Sequence, residues 1–204
     1  MSLHTHTDIL HKDTIPGVGY RYELDPKNVG NLPITLKVAK SYLKIENDED
    51  NAIIQDMIAT VVQFAERYTG RDLRKKIWKL IIDEFADRIL VRKSQVNTID
   101  SIQYTVGGVL TTIASTIFIL KKGYGFSEVL LREDQTWPDD LDDVEAGIEI
   151  TFSTQIPRYI EQYKSGVLEH LAFLYQNRGD CDVNSAALRS GASQLYDQGR
   201  IQRI

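Results

Sequence analysis

The sequence has a single cysteine, Cys181, which excludes a disulfide framework, a paired-thiol metal site and a CxxC redox pair. It has no run of about 18 apolar residues, so no membrane span is expected. Residues 1–12, with His4, His6 and His11, lack the basic-then-apolar order of a signal peptide, and a cytoplasmic folding compartment is expected. Positive charge is also short: 24 Lys and Arg against 29 Asp and Glu give a net charge of -5, a poor balance for a protein whose main work is neutralising phosphates. Motifs of catalysis are missing as well, with no GxSxG elbow, HExxH or SxxK.

What is present suits an ordinary globular chain. At 204 residues and 42% hydrophobic, it can bury a real core without staples. Residues 1–31 carry Pro16, Gly17, Gly19, Pro26 and Gly30 with little periodicity and read as an irregular N-terminal extension, its three histidines as polar tail residues. Leu36, Ala39 and Leu43 predict a short helix over 36–43 capped by Thr35. Asp48, Glu49 and Asp50 supply negative charge and a capping carboxylate for a second helix. Its stripe is Ile54, Met57, Val61, Phe64 and Tyr68, and Gly70 stands where a left-handed cap is expected.

Between 76 and 153 the pattern changes to β-branched and aromatic runs of strand length, with Gly107-Gly108 as a hairpin turn. Pro157 then suits the first turn of a long helix over 158–177, stopped at Gly179. Its apolar arc spans half the circumference, which implies two neighbours. Phe173 falls outside that arc beside Gln162, Gly166 and Glu169, as a partner-facing aromatic would. After Cys181 the chain turns polar. Leu188, Leu195, Tyr196, Ile201 and Ile204 are too sparse for a core, and Gly191 and Gly199 interrupt any helix, so 180–204 reads as a flexible docking tail. The fold class is α+β: residues 32–75 and 154–179 form a helical core of two N-terminal helices plus the long C-terminal one, and 76–153 an inserted, mostly antiparallel β unit.

Candidate chemistry is thin. His170 borders the apolar arc and reads as packed rather than as a base, and Cys181 has only Arg178 as a nearby cation. Gly123-Tyr124-Gly125 begins like a nucleotide-binding turn, but Glu128 occupies the third glycine position. Asp139, Asp140, Asp142, Asp143 and Glu145 lack calcium-loop spacing and read as a solvated loop. The two N-terminal helices allow a helix-turn-helix DNA-binding reading, yet the second opens acidic and offers Arg67 as its cation. The basic stretch Arg71, Arg74, Lys75, Lys76 and Lys79 fits phosphate contact or a solvated strand entrance. No enzyme, metal or cofactor is expected.

The order of segments over residues 33–204 resembles the phage head-tail connector family. The likeness is carried by Ile34 to Leu36, Ala39, Leu43 and Asp48 to Asp50, by Ala65-Glu66-Arg67-Tyr68-Thr69-Gly70-Arg71, by Trp78, Asp83 to Phe85, Ile89 and the strand from Val96 to Tyr104, and by Trp137-Pro138, Ile148 to Phe152 and Tyr175 to Arg178. The chain departs from the family at Ala86 and Lys93-Ser94, where prolines are usual, and at Phe173-Leu174, where a His-Trp pair is frequent. The resemblance implies a structural adaptor that forms a ring with copies of itself, with the portal on one side and a neck or tail-completion protein on the other. DNA would pass through without sequence-specific binding. It implies a subunit interface at Tyr159 and Phe173, portal docking through Leu195, Tyr196, Arg200 and Ile201, and a place in the virion neck after assembly in the host bacterial cytoplasm.

Overall fold

A computed structural model describes residues 20–93 and 95–201. The three N-terminal histidines, Ser94 and the end of the expected tail at Ile204 lie outside the described residues.

Helix α1 (Leu36–Leu43) is capped as its sequence requires: the Thr35 hydroxyl accepts from the Val38 N–H at 3.3 Å, satisfying an otherwise orphaned donor. Lys44, at φ 58°, closes it. Helix α2 (Asn51–Thr69) ends at Gly70, φ 70°, whose N–H donates to the Glu66 carbonyl at 3.0 Å. At its start the expected carboxylate cap is absent. Asp50 turns away from the helix and accepts from the Tyr175 hydroxyl and, at 3.3 Å, from Arg178, so two donors at the end of α3 (Ile160–Gln176) win the carboxylate. Pro157 lies before the first turn of α3 rather than in it, and is buried.

The strands are β1 (Tyr20–Val29), β2 (Lys76–Ile82), β3 (Arg88–Val91), β4 (Val96–Val106), β5 (Val109–Thr112), β6 (Phe118–Lys122), β7 (Ser127–Leu131) and β8 (Ile148–Thr154). They form a five-stranded sheet of order β1-β2-β8-β4-β5 and a three-stranded sheet of order β3-β7-β6, all pairs antiparallel. Gly107 and Gly108, at φ 57° and 73°, make the two-residue turn between β4 and β5 that positive φ at both positions favours. Period-two burial sets the inner face: Ile148, Ile150 and Phe152 of β8, with Leu80, Ile82 and Ile102, close against Ile89, Phe118 and Val129 of the smaller sheet.

The α+β class holds, with two corrections. The extension expected to be irregular over 1–31 contains β1. Tyr20, Tyr22 and Leu24 alternate and pair with Ile82, Leu80 and Trp78, a signal outweighed in sequence by the neighbouring Pro and Gly. Pro26 is tolerated because β1 is an edge strand whose register breaks between Leu24 and Val29. The sheet therefore takes a strand from before the helices and is not simply an insertion.

The second correction concerns the expected flexible tail, which carries α4 (Val183–Arg189) and α5 (Ala192–Asp197). The Asp182 carboxylate, held down at about 2 by the Ser185 hydroxyl and the N–H groups of Ser185 and Asn184, caps α4. Ala187, Ala192 and Tyr196 join one core with Ile58, Val61 and Phe64 of α2 and Val167 and Leu171 of α3. These two short helices are the second neighbour that the wide arc of α3 requires. The Tyr196 ring lies so close to Gly166 that an added Cβ would stand 2.7 Å from it, and one on Gly199 would stand 1.8 Å from the Tyr163 hydroxyl oxygen. Gln162 donates to the Leu195 carbonyl at 2.8 Å, and the Arg189 guanidinium sits 5.0 Å above the Phe173 ring. The polar side of α3 is thus covered by its own chain, through small residues and side-chain amides that an apolarity count does not register.

Tyr196→Ala is expected to destabilise the protein by about 3–5 kcal/mol through lost burial and the cavity left behind. The urea midpoint checks this. A shift corresponding to under about 1 kcal/mol would mean that the C-terminal helices are not part of the core.

Candidate interaction surface and the junction beneath it

A cluster of buried polar side chains gathers at the end of α2 and just beyond it. Glu66 receives the Leu73 N–H at 3.0 Å and the Lys76 ammonium at 2.8 Å. Lys76 also donates to Asp72 at 2.9 Å, and the other Asp72 oxygen accepts from the Trp78 indole at 2.8 Å and the Thr154 hydroxyl at 2.9 Å. Lys76 is only 6% exposed, so its charge depends on these partners. The network ties α2 to β2 and β8.

The basic stretch is therefore spent on internal contacts. Arg71 is buried and donates to the Gly199 carbonyl, Lys79 pairs with Glu149 at 2.6 Å, and Arg74 lies 3.7 Å from Glu66. Lys75 is the member that faces solvent. Within this stretch the phosphate-contact reading keeps only Lys75.

His170 is fully buried, its ring edge-to-face with Phe64. Nε2 lies 2.7 Å from the Val183 carbonyl, which only accepts, so Nε2 carries the hydrogen, and Nδ1 faces the Tyr196 hydroxyl at 3.4 Å. Burial pushes its pKa below the ordinary 6.5. The ring is a strut between α3, α4 and α5. The Cys181 thiol is half-buried and donates to the Asp182 carbonyl at 3.4 Å. In the acidic loop, Asp142 accepts from the N–H groups of Gly107 and Gly108 at 3.0 and 2.8 Å, fastening the hairpin tip. Gly123 allows a tight approach to the Phe126 carbonyl, and the neighbouring Tyr124 ring stacks under Arg71 at 4.8 Å, a structural use of the Gly-Tyr-Gly turn. Among the described residues no group of three or more His, Cys, Asp or Glu is placed to hold a metal, and no helix is long and apolar enough to cross a membrane. An open depression of about 400 Å³ beside α1 is lined by Leu36, Lys40, Ile45 and Asp48, but Lys40 and Asp48 neutralise each other at 2.6 Å.

The residues assigned to interfaces are scattered. Tyr159 is 69% exposed just ahead of α3, whereas Phe173 is half-buried beneath Arg189. Of the docking set, Tyr196 is wholly buried, Leu195 and Ile201 are half-buried, and Arg200 is exposed beside Asp197 and the Tyr68 ring. The segment holding them is tied back to the end of α2: Tyr68 donates to Asp197 at 2.9 Å, and the Ile201 N–H to the Thr69 carbonyl at 2.9 Å. Exposed apolar side chains not assigned a role from sequence include Val38 and Tyr42 on α1, Ile53 on α2, Val109 at the hairpin tip and Ile156 before α3. Only the i, i+4 spacing of Val38 and Tyr42, off the Leu36–Ala39–Leu43 stripe, hinted at an outward face.

This arrangement of helices, edge strand and paired sheets has known counterparts. Residues 33–106 match the phage gp6-like head-tail connector protein family. The match covers part of the stretch on which the sequence resemblance was read, and it includes the Glu66–Asp72–Lys76 network. No curated protein matches by sequence. Three solved structures share the fold: a chain from the neck of an empty gene transfer agent particle, computed with C6 symmetry (TM-score 0.69, 16% identity, 89% of this chain and 97% of that one); a chain from the virion of a native gene transfer agent particle (0.67, 16%, 89% and 96%); and a chain from the neck of a native particle, computed with C12 symmetry (0.63, 18%, 89% and 97%). The matched segment thus sits within a fold shared along almost the entire length of these chains.

Two outcomes are expected of the junction and the strut. Lys76→Met leaves two buried carboxylates without their cation and costs about 3–5 kcal/mol in chemical unfolding, where a surface pair would cost under about 1. For His170, a folded pKa below the unfolded one means that the unfolded chain binds the proton first. Its contribution to stability is therefore full above about pH 6.5 and falls as the pH drops through that value towards the lowered folded pKa. His170→Gln, which keeps a donor for Val183, should flatten that part of the stability–pH curve. A curve unchanged by the substitution would remove His170 as its cause.

Proposed function

We propose that this chain is a non-catalytic head-tail connector subunit of a tailed bacteriophage or prophage-derived particle, forming a ring beneath the portal. The observation that carries this reading is the match of residues 33–106 to the head-tail connector family, within a fold that likens 89% of this chain to 97% of a neck chain. In the ring, each subunit contacts copies of itself, the portal on one side and a neck or tail-completion protein on the other, and occupies the virion neck after assembly in the host cytoplasm. The neck structures with which the fold is shared were computed with C6 and C12 symmetry, as a ring subunit would require. The interior supports a mechanism of geometry: the buried polar groups described above are spent on holding elements together. DNA passes without sequence-specific contact, and the net charge of -5 favours sliding over sticking.

In this reading Tyr159 and the exposed part of Phe173 meet a neighbouring subunit, and Arg200, with Leu195 and Ile201, meets the portal. Tyr196 serves docking indirectly, by fixing the helix that presents Leu195.

The purified chain is expected to co-sediment with portal rings from the same genome and to give no mobility shift with duplex DNA at roughly micromolar protein and physiological salt. A steep salt-dependent shift without portal binding would replace the connector by the helix-turn-helix reading.

A further inference from the structure

Helices α2 and α3 run antiparallel, so the helical layer has two distinct ends. Tyr175 and Arg178, at the finish of α3, touch Asp50 at the start of α2. Tyr163, near the start of α3, meets the Gly199 carbonyl, which also receives Arg71 from just beyond α2. The 17 residues of α3 separate these ends by about 25 Å.

The two ends differ in charge and each carries exposed apolar side chains. At the first, Glu46, Glu49 and Asp180 face solvent beside Tyr42 and Ile53, which are 47% and 44% exposed. Of the cations there, Lys40 is held by Asp48 and Arg178 by Asp50, leaving Lys37 and Lys44 against the three acids. At the second, Arg67, Lys75 and Arg158 face solvent beside Ile156 and Tyr159, 52% and 69% exposed. The acids there are already engaged: Glu161 with Lys164 at 2.7 Å and Asp197 with Arg200 at 3.9 Å.

We infer that the basic, Tyr159-bearing end of one copy docks on the acidic, Tyr42-bearing end of a second copy, head to tail. Like ends would bring like charges together, which disfavours a two-fold dimer through either end, whereas opposite ends are complementary in charge and each contributes apolar area for a desolvated centre. A heterologous contact of this kind leaves a free end on every assembly and closes only as a ring. The inference rests on the ring reading above and specifies which surfaces meet.

Sedimentation velocity of the full chain at low and high salt tests it. The wild type should self-associate, less so at high salt. Arg158→Glu alone, and Glu46→Lys with Glu49→Lys, should each raise the dissociation constant roughly tenfold or more. All three changes together should recover most of the association, because the reversed ends are again complementary. Recovery cannot come from a misfolded chain, and the melting transitions of these surface variants should match the wild type. The inference is overturned by single-end variants that associate normally, by a triple variant weaker than either, or by a wild type that stays monomeric. Portal co-sedimentation separates the two ideas: variants that bind portal rings normally but never self-associated would leave the adaptor reading standing without this interface, and loss of portal binding by the wild type would remove that reading.

Discussion

The Lys76 ammonium between Glu66 and Asp72 is the interaction on which the relation of the two layers depends. Its partners come from the last turns of α2 and the loop that follows, and Asp72 passes the connection on to Trp78 of β2 and Thr154 of β8. An apolar contact could hold the layers together without specifying their angle, since burial is non-directional. A buried charge with fixed donors is less forgiving. Each displaced partner leaves a desolvated group, so the helical layer and the sheet meet in one way. In the ring proposed for this chain that property would matter, because angular error between layers would recur at every interface around a closed circle.

Much of the fold was legible because local chemistry and global packing agree. Thr35, Gly70 and the Gly107-Gly108 pair each satisfy a backbone requirement that belongs to one kind of element end, and the structure puts them there. Asp50 shows the limit of such reasoning. It has the right identity and position for a cap, but a tyrosine and an arginine more than a hundred residues away take its carboxylate. β1 was hidden for the converse reason: Pro26 is a breaker only where a ladder needs its donor, and an edge strand with a register break does not, while Gly30 lies beyond the strand and donates to the Lys75 carbonyl at 2.7 Å. The C-terminal helices were hidden because their contribution to the core is one large ring and several alanines, laid on a glycine of α3.

At the candidate site, the roles of single interior residues were easier to read than the surface. His170 among apolar neighbours and Asp142 in an acidic loop kept structural roles, though Asp142 turned out to be a specific clamp for the hairpin rather than a solvated bystander. The basic stretch misled, since sequence shows charge but not its distant partner: Glu149 for Lys79, the Gly199 carbonyl for Arg71. Exposure of Ile53 could not be separated from the α2 stripe by spacing alone. Tyr196 illustrates the same difficulty in reverse, an aromatic in a polar stretch that lies wholly inside.

The closure of α5 over α3 also orders events in time. Gly199 and Ile201 bond to residues that left the ribosome long before them, near Arg71 and Thr69. During synthesis the β sheets can pair fully once β8 has emerged, but the helical core keeps the faces of Phe64 and Gly166 open until the last turn of α5 is free. A chain that stopped before α5 would leave this apolar cleft uncovered, and exposed apolar surface of that kind invites aggregation.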